Sequence, residues 1–192
     1  MSELNAYILG TDEEELDRLE LQHRVWASEA RKGWSNAEFK KGHTVLDLGC
    51  GPGSCSIELA DIVGSNGKVI ALDRSESFIT YLNSLAKKSN LPIEPIHADF
   101  DSMVLLDGSL DGMYCRWALA WVPNPKEIIG KIIKALKPGG RMVFHEYFDW
   151  SVHRVYPESK NLMNGITAAL KLSLIHISEP TRPERIAYAG LW

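Results

Sequence analysis

The chain has 192 residues, of which 45% are hydrophobic and 24% charged, with a net charge of −4. That length fits one domain able to bury a proper core, and the acidic balance gives no electrostatic footprint for nucleic acid. No apolar run reaches membrane-spanning length and the N-terminus lacks the basic-then-apolar plan of a secretory signal. Cys50, Cys55 and Cys115 match no zinc spacing, so a reduced, cytoplasmic, metal-free protein is expected.

Residues 1–40 precede the first strand. Thr11-Asp12-Glu13-Glu14 reads as a capping box, with Thr11 at the cap and Glu14 three residues on. The acidic run from Asp12 to Glu15 compensates the dipole of a solvated first turn. Leu16, Leu19, Gln22, His23 and Trp26 then share one helical face.

Val45-Leu46-Asp47-Leu48-Gly49-Cys50-Gly51-Pro52-Gly53 is the most informative segment. A continuous apolar run reads as a buried parallel strand, and the alternate glycines let the backbone approach a ligand closely. Ser54 to Val63 reads as a helix, whose first N–H groups face whatever sits in the turn. The dinucleotide fingerprint requires a glycine or alanine three positions after its second glycine, where this chain has Ser54. Asp47 would repel a pyrophosphate and suits a cationic ligand instead.

Lys68 to Asp73 is a second apolar strand, and its terminal carboxylate lies about 20 residues beyond the glycines. A carboxylate there accepts both ribose hydroxyls; the alternative is an acid at the start of the helix opened by Ser75-Glu76-Ser77. Pro92 to His97 reads as a third strand leading into Ala98-Asp99-Phe100, where Asp99 could otherwise just cap a turn. Leu110 to Trp117 reads as the fourth strand and its loop. Pro125 to Leu136 is a helix with Asn124 at the cap and an Ile128, Ile129, Ile132, Ile133, Leu136 stripe. Lys137-Pro138-Gly139-Gly140 stops it, and Arg141 to Glu146 begins the fifth strand.

The Asp47, Gly49, Gly51, Gly53 spacing resembles motif I (E/D-x-G-x-G-x-G) of the class I S-adenosylmethionine-dependent methyltransferases. The Asp73, Asp99, fourth-strand and L-K-P-G-G landmarks follow in that family's order. The resemblance implies a Rossmann-like, doubly wound α/β fold with a mainly parallel sheet and S-adenosylmethionine as cofactor. Its sulfonium and ammonium would suit Asp47. The implied cofactor site contains Asp47, Gly49, Cys50, Gly51, Gly53, Asp73 and Arg74, with Asp99 and Phe100 at the adenine. Arg116 and Trp117 would line the cofactor or acceptor pocket. N-terminal helices of such enzymes fold over the cofactor, making Tyr7, Gln22 and Trp26 lid candidates, although Trp26 could simply pack its helix onto the sheet. The segment with Phe148, Trp150, His153, Arg154 and Tyr156, continuing as a helix over 157–171, would cover the acceptor.

Leu172 to Arg182 fits no element of this family and resembles the in-frame translation of a transposase adaptor used for sequencing libraries. On that reading 41–171 is the core, 172–192 is non-native, and the sheet lacks its last two antiparallel strands by truncation. The fifth strand would then be an uncovered edge and the fragment aggregation-prone.

The resemblance implies methyl transfer to a small-molecule acceptor by in-line displacement, in the broad group that includes ubiquinone- and menaquinone-biosynthesis-like enzymes. Alignment and desolvation supply much of such a rate, and a base is needed only for a protonated acceptor. His145, with Glu146 beside it, stands at the strand end where a base could act; it could equally be a half-buried strand residue. A nicotinamide-dependent dehydrogenase and a non-catalytic cofactor-binding module remain as alternatives. Acceptor identity and oligomeric state are not readable from these residues.

Overall fold

The computed structural model describes residues 13–146, 159–165 and 168. Tyr7, the Thr11 cap, the aromatic and basic run at 148–156 and the adaptor-like residues 172–192 lie outside the described residues. Five strands, β1 (Thr44–Leu48), β2 (Lys68–Asp73), β3 (Ile93–His97), β4 (Leu110–Arg116) and β5 (Leu136–His145), form one sheet in the order β3-β2-β1-β4-β5. All four pairings are parallel. The helices are α1 (Glu13–Asn36), α2 (Ser54–Val63), α3 (Glu76–Lys88) and α4 (Pro125–Ala135). This is the doubly wound α/β fold expected from the sequence.

Successive residues of a strand point to opposite faces, and β1 shows the division. Val45 packs with Ala30 and Trp34 of α1 and with Cys55, Leu59 and Val63 of α2. Leu46 and Leu48 pack on the other face with Ile128, Ile132 and Ala135 of α4. Trp34 is fully buried, its ring 5.2 Å from Tyr114 of β4 at an interplanar angle of 78°, an edge-to-face contact that anchors α1. Both faces of the central strands are therefore covered, which is why their sequences read as unbroken apolar runs.

The helix termini follow local chemistry. Ser75 accepts a bond from Phe78 N at 3.4 Å and Glu76 sits in the first turn of α3, while Lys87 and Lys88 close it, as the helix dipole favours. The Asn124 side chain, expected to cap α4, makes no cap bond; its backbone carbonyl accepts from Glu127 and Ile128 instead. Ile133, which the spacing assigns to the inner stripe, is 54% exposed. Leu136 already pairs with Leu110, and the ladder resumes at Arg141 opposite Gly112. Residues 137–140 are thus an excursion within β5, turned by Gly139 at φ 82°, rather than a loop ahead of the strand.

No helix among the described residues is long and apolar enough to cross a membrane. Gly112 leaves room for Phe39, since a Cβ there would lie 2.2 Å from Phe39 Cε1. Gly112→Ala should cost about 1–3 kcal/mol by overpacking, measured by denaturant unfolding; unchanged stability would mean that Phe39 does not press on β4.

Candidate functional site

The strand order reverses between β1 and β4, and open α/β sheets bind ligands outside the carboxyl ends of the strands at such a switch point. The glycine turn leaves β1 there. Gly49, Gly51 and Gly53 have φ of 74°, 55° and 95°, all in the left-handed region that favours glycine. A Cβ at Gly49 would lie 2.4 Å from Ala118 Cβ, and one at Gly53 would lie 2.3 Å from Leu82 Cδ1. Among the described residues a Cβ at Gly51 would meet nothing within 4 Å. Gly49 and Gly53 are thus closed by protein packing, and Gly51 borders open space.

Asp73 ties this turn to β2. Its Oδ2 accepts from Gly51 N and its Oδ1 from Ser75 N, each at 2.8 Å. The carboxylate therefore braces the glycine turn and the start of α3 together. Burial raises its pKa, against those backbone bonds. Asp47 is 2% exposed and accepts from Ser56 Oγ at 2.6 Å. Burial pushes its pKa up to about 6, opposed by Ser56 and by Arg116.

The structure separates the remaining expected cofactor residues. Cys50 packs its side chain among Ala71, Ile79 and Leu82 and donates its N–H to Leu72 O at 3.1 Å. Its thiol donates to Gly51 O at 3.5 Å, within the glycine turn. Arg74 is exposed, and its carbonyl accepts from His97 Nε2 at 3.0 Å. Asp99 is exposed, while Phe100 is buried and lies under Gly49. Gln22 is half-buried on α1. Trp26 remains 46% exposed, its ring edge-on to Trp117 at 5.7 Å.

The loop after β4 is clamped to β5. Trp117 has φ 55°, an uncommon conformation for a bulky residue. It is held by a bond from its N–H to His145 O at 2.9 Å. Glu146 Oε1 then accepts from Ala118 N at 3.0 Å and Leu119 N at 2.9 Å. Among the described residues its Oε2 is buried without a hydrogen-bond partner, and burial raises the Glu146 pKa. The clamp sets Ala118 against Gly49. Glu146 reads as a possible base in the sequence; its positioning role appears only when β4 and β5 are adjacent.

His145 lies on the α1 side of the sheet, its Nδ1 3.1 Å from Tyr114 Oη. Burial lowers its pKa and Arg116 lowers it further. Arg116 also stacks 5.1 Å from the Trp117 ring and donates from Nη1 to His23 Nδ1 at 3.3 Å. The sequence reading does not place His23, Ser56 or Glu58 in the site. The one available signal was a polar histidine on an otherwise inward helix face. Among the described residues no three His, Cys, Asp or Glu side chains are grouped to hold a metal ion.

Two cavities among the described residues open near the starts of the strands. One of about 230 Å³ lies by His43, Asp111 and Lys137, and one of about 340 Å³ by Thr44, Lys68 and Glu94. Neither borders the glycine turn, so the braced switch point remains the candidate site.

The family model for a methyltransferase domain matches residues 39–187, including part of the adaptor-like segment. The 2-phytyl-1,4-naphtoquinone methyltransferase of Synechococcus elongatus is 34% identical over 136 residues, 70% of this chain and 55% of that protein. The demethylmenaquinone methyltransferase of Desulfitobacterium hafniense is 29% identical over 145 residues, 72% of this chain and 57% of that protein. The chain thus spans about half the length of these curated relatives. A solved S-adenosylmethionine-dependent methyltransferase of Aquifex aeolicus is similar at TM-score 0.59 and 25% identity, covering 67% of this chain and 69% of that one. The glycine turn, the braced Asp73 and the match over most of its length make this chain a member of the class I methyltransferase-domain family.

Proposed function

We propose that the chain binds S-adenosylmethionine at the carboxyl ends of β1, β2 and β4 and methylates a small apolar acceptor of the quinone type. The open space at Gly51, bounded by Asp73, carries this reading. The residues fit the cofactor: Asp73 retains lone pairs for vicinal hydroxyls, Phe100 offers an apolar support, and Asp47 supplies negative potential for a cationic group. When bound, S-adenosylmethionine supplies a methyl group made electrophilic by its sulfonium. The chain's own part is to orient the reactants and exclude water.

The quinone class rests on the names of the two relatives and on Trp26, Trp117 and Trp121, which present aromatic surface near the carboxyl edge. For a protonated acceptor the base is His145. That role requires Nδ1–H to donate to Tyr114, leaving the Nε2 lone pair to take the proton; its lowered pKa keeps the ring neutral at pH 7. This reading makes the protein a cytoplasmic small-molecule enzyme rather than one acting on nucleic acid, in line with its net charge of −4.

The direct test is transfer of labelled methyl from S-adenosylmethionine to a panel of reduced naphthoquinones, phenols and amines. Label on the quinol ring is the expected result; turnover of amines alone would overturn the acceptor class. Asp73→Ala should weaken S-adenosylhomocysteine binding by about 1–3 kcal/mol, the scale for hydrogen bonds to a charged group, as read by calorimetry. Unchanged affinity in a folded variant would remove Asp73 from the site.

Asp47 generates a prediction of opposite signs. Its folded carboxyl holds a proton up to about pH 6, against an ordinary value of 3.8. Stability therefore falls as pH rises through that window, and the full penalty persists above it. Asp47→Asn should raise stability at pH 7 by about 1–3 kcal/mol while weakening S-adenosylhomocysteine binding. Lower stability together with unchanged affinity would contradict both halves.

A further inference from the structure

More than apolar packing joins α1 to the cofactor end of the sheet. His23 is 7% exposed and meets two other elements. Its Nε2 lies 3.1 Å from Glu58 Oε1 on α2, and its Nδ1 lies 3.3 Å from Arg116 Nη1 on β4 and 3.7 Å from Cys55 Sγ on α2. Partial burial pushes the Glu58 pKa up, but bonds from Arg31 and His23 outweigh it and hold the carboxyl below its ordinary value. Glu58 is thus an anion that only accepts, and Arg116 is a cation that only donates. Both partners require the same histidine: Nε2–H donating to Glu58 and the Nδ1 lone pair accepting from Arg116. A second proton on the ring abolishes that acceptor and sets one cation against another.

Arg116 links this chain of contacts to Asp47 and Trp117. Its charge lowers the pKa of Asp47, and it stacks on Trp117, which Trp26 of α1 meets edge-on with ring centroids 5.7 Å apart. We propose that His23, as the neutral Nε2–H tautomer, is a positioning residue that holds Arg116 beside Asp47 and seats α1 over the cofactor site, and that protonation of His23 releases both. This rests on the S-adenosylmethionine reading above.

The charged and titratable groups around the relay are Arg31 from α1, Glu58 and Cys55 from α2, and Arg116 from β4. Asp47 of β1 and His145 of β5 adjoin Arg116. Burial lowers the His23 pKa from 6.5, Glu58 opposes this, and Arg116 reinforces it. A histidine shifted in this direction contributes stability that is complete above 6.5 and lost as pH falls below it. Cofactor affinity that depends on neutral His23 should follow the same course. Asp47, with its pKa near 6, titrates in the same window, so the histidine must be observed by itself.

The test combines ring-nitrogen NMR of the ¹⁵N-histidine-labelled chain with S-adenosylhomocysteine titrations at pH 8 and pH 5.5. The wild-type spectrum should show the Nε2–H tautomer at pH 8, and ligand should move the His23 midpoint further down. In His23→Asn an amide atom replaces Nδ1, whereas in His23→Gln one replaces Nε2. His23→Gln should therefore bind at least about fivefold more weakly than His23→Asn at pH 8, the scale of one lost hydrogen bond. His23→Asn should also lose the histidine part of the pH dependence. An Nδ1–H tautomer, a midpoint unmoved by bound ligand, or equal affinities of the two variants would overturn the proposal alone. If either variant fails to fold, the wild-type spectra decide. No binding by the wild type at pH 8 would overturn the cofactor reading and this proposal with it.

Discussion

The β1 turn and the β4 loop can lie against each other only because residue 49 has no side chain. A Cβ there would overlap Ala118 at 2.4 Å, and van der Waals repulsion at that distance would force the two loops apart. Their approach builds the site. It brings the end of β4, with Arg116 and Trp117, beside the glycine turn that Asp73 braces from β2. Glu146 holds the other side of the contact by accepting two consecutive backbone N–H groups from the β4 loop. Two carboxylates and one glycine thus join the two segments into one rim.

The electrostatics of this rim work against stability. Burial raises the pKa of Asp47, Asp73 and Glu146, so each is less comfortable ionised in the fold than in water. At Asp47 burial outweighs both the bond from Ser56 and the charge of Arg116, which leaves the carboxylate with a net electrostatic deficit. A cationic ligand would remove that deficit, whereas a pyrophosphate would deepen it. The same argument separates this site from a dinucleotide fold with similar strand order, where the turn must accept negative charge.

Much of the fold is legible in the chain because its units are local. The apolar runs of β1 and β2 followed by α2 and α3 are continuous in sequence, and Ser75 signals its cap directly. The glycines and Asp73 are legible for the same reason, lying within one strand–turn–helix and the next strand. Other features depend on neighbours distant in sequence. His23 and Glu58 meet across two helices 35 positions apart, and Glu146 acquires its role only once β5 pairs with β4. Cys50 sits among the glycines, but its packing against Ile79 and Leu82 arises only once α3 lies beside the turn. Leu136 enters the ladder before the Pro-Gly-Gly break because its partner Leu110 is already in register, which no local signal specifies.

The central claim is that the braced glycine turn is a site for S-adenosylmethionine, and a thermal-melt titration with S-adenosylhomocysteine, using NADH as control, tests it most directly. A melt that rises with S-adenosylhomocysteine and not with NADH is the expected result, since a ligand bound only by the folded state stabilises it by mass action. A cooperative melt that moves with NADH alone, or with neither ligand, would contradict the account.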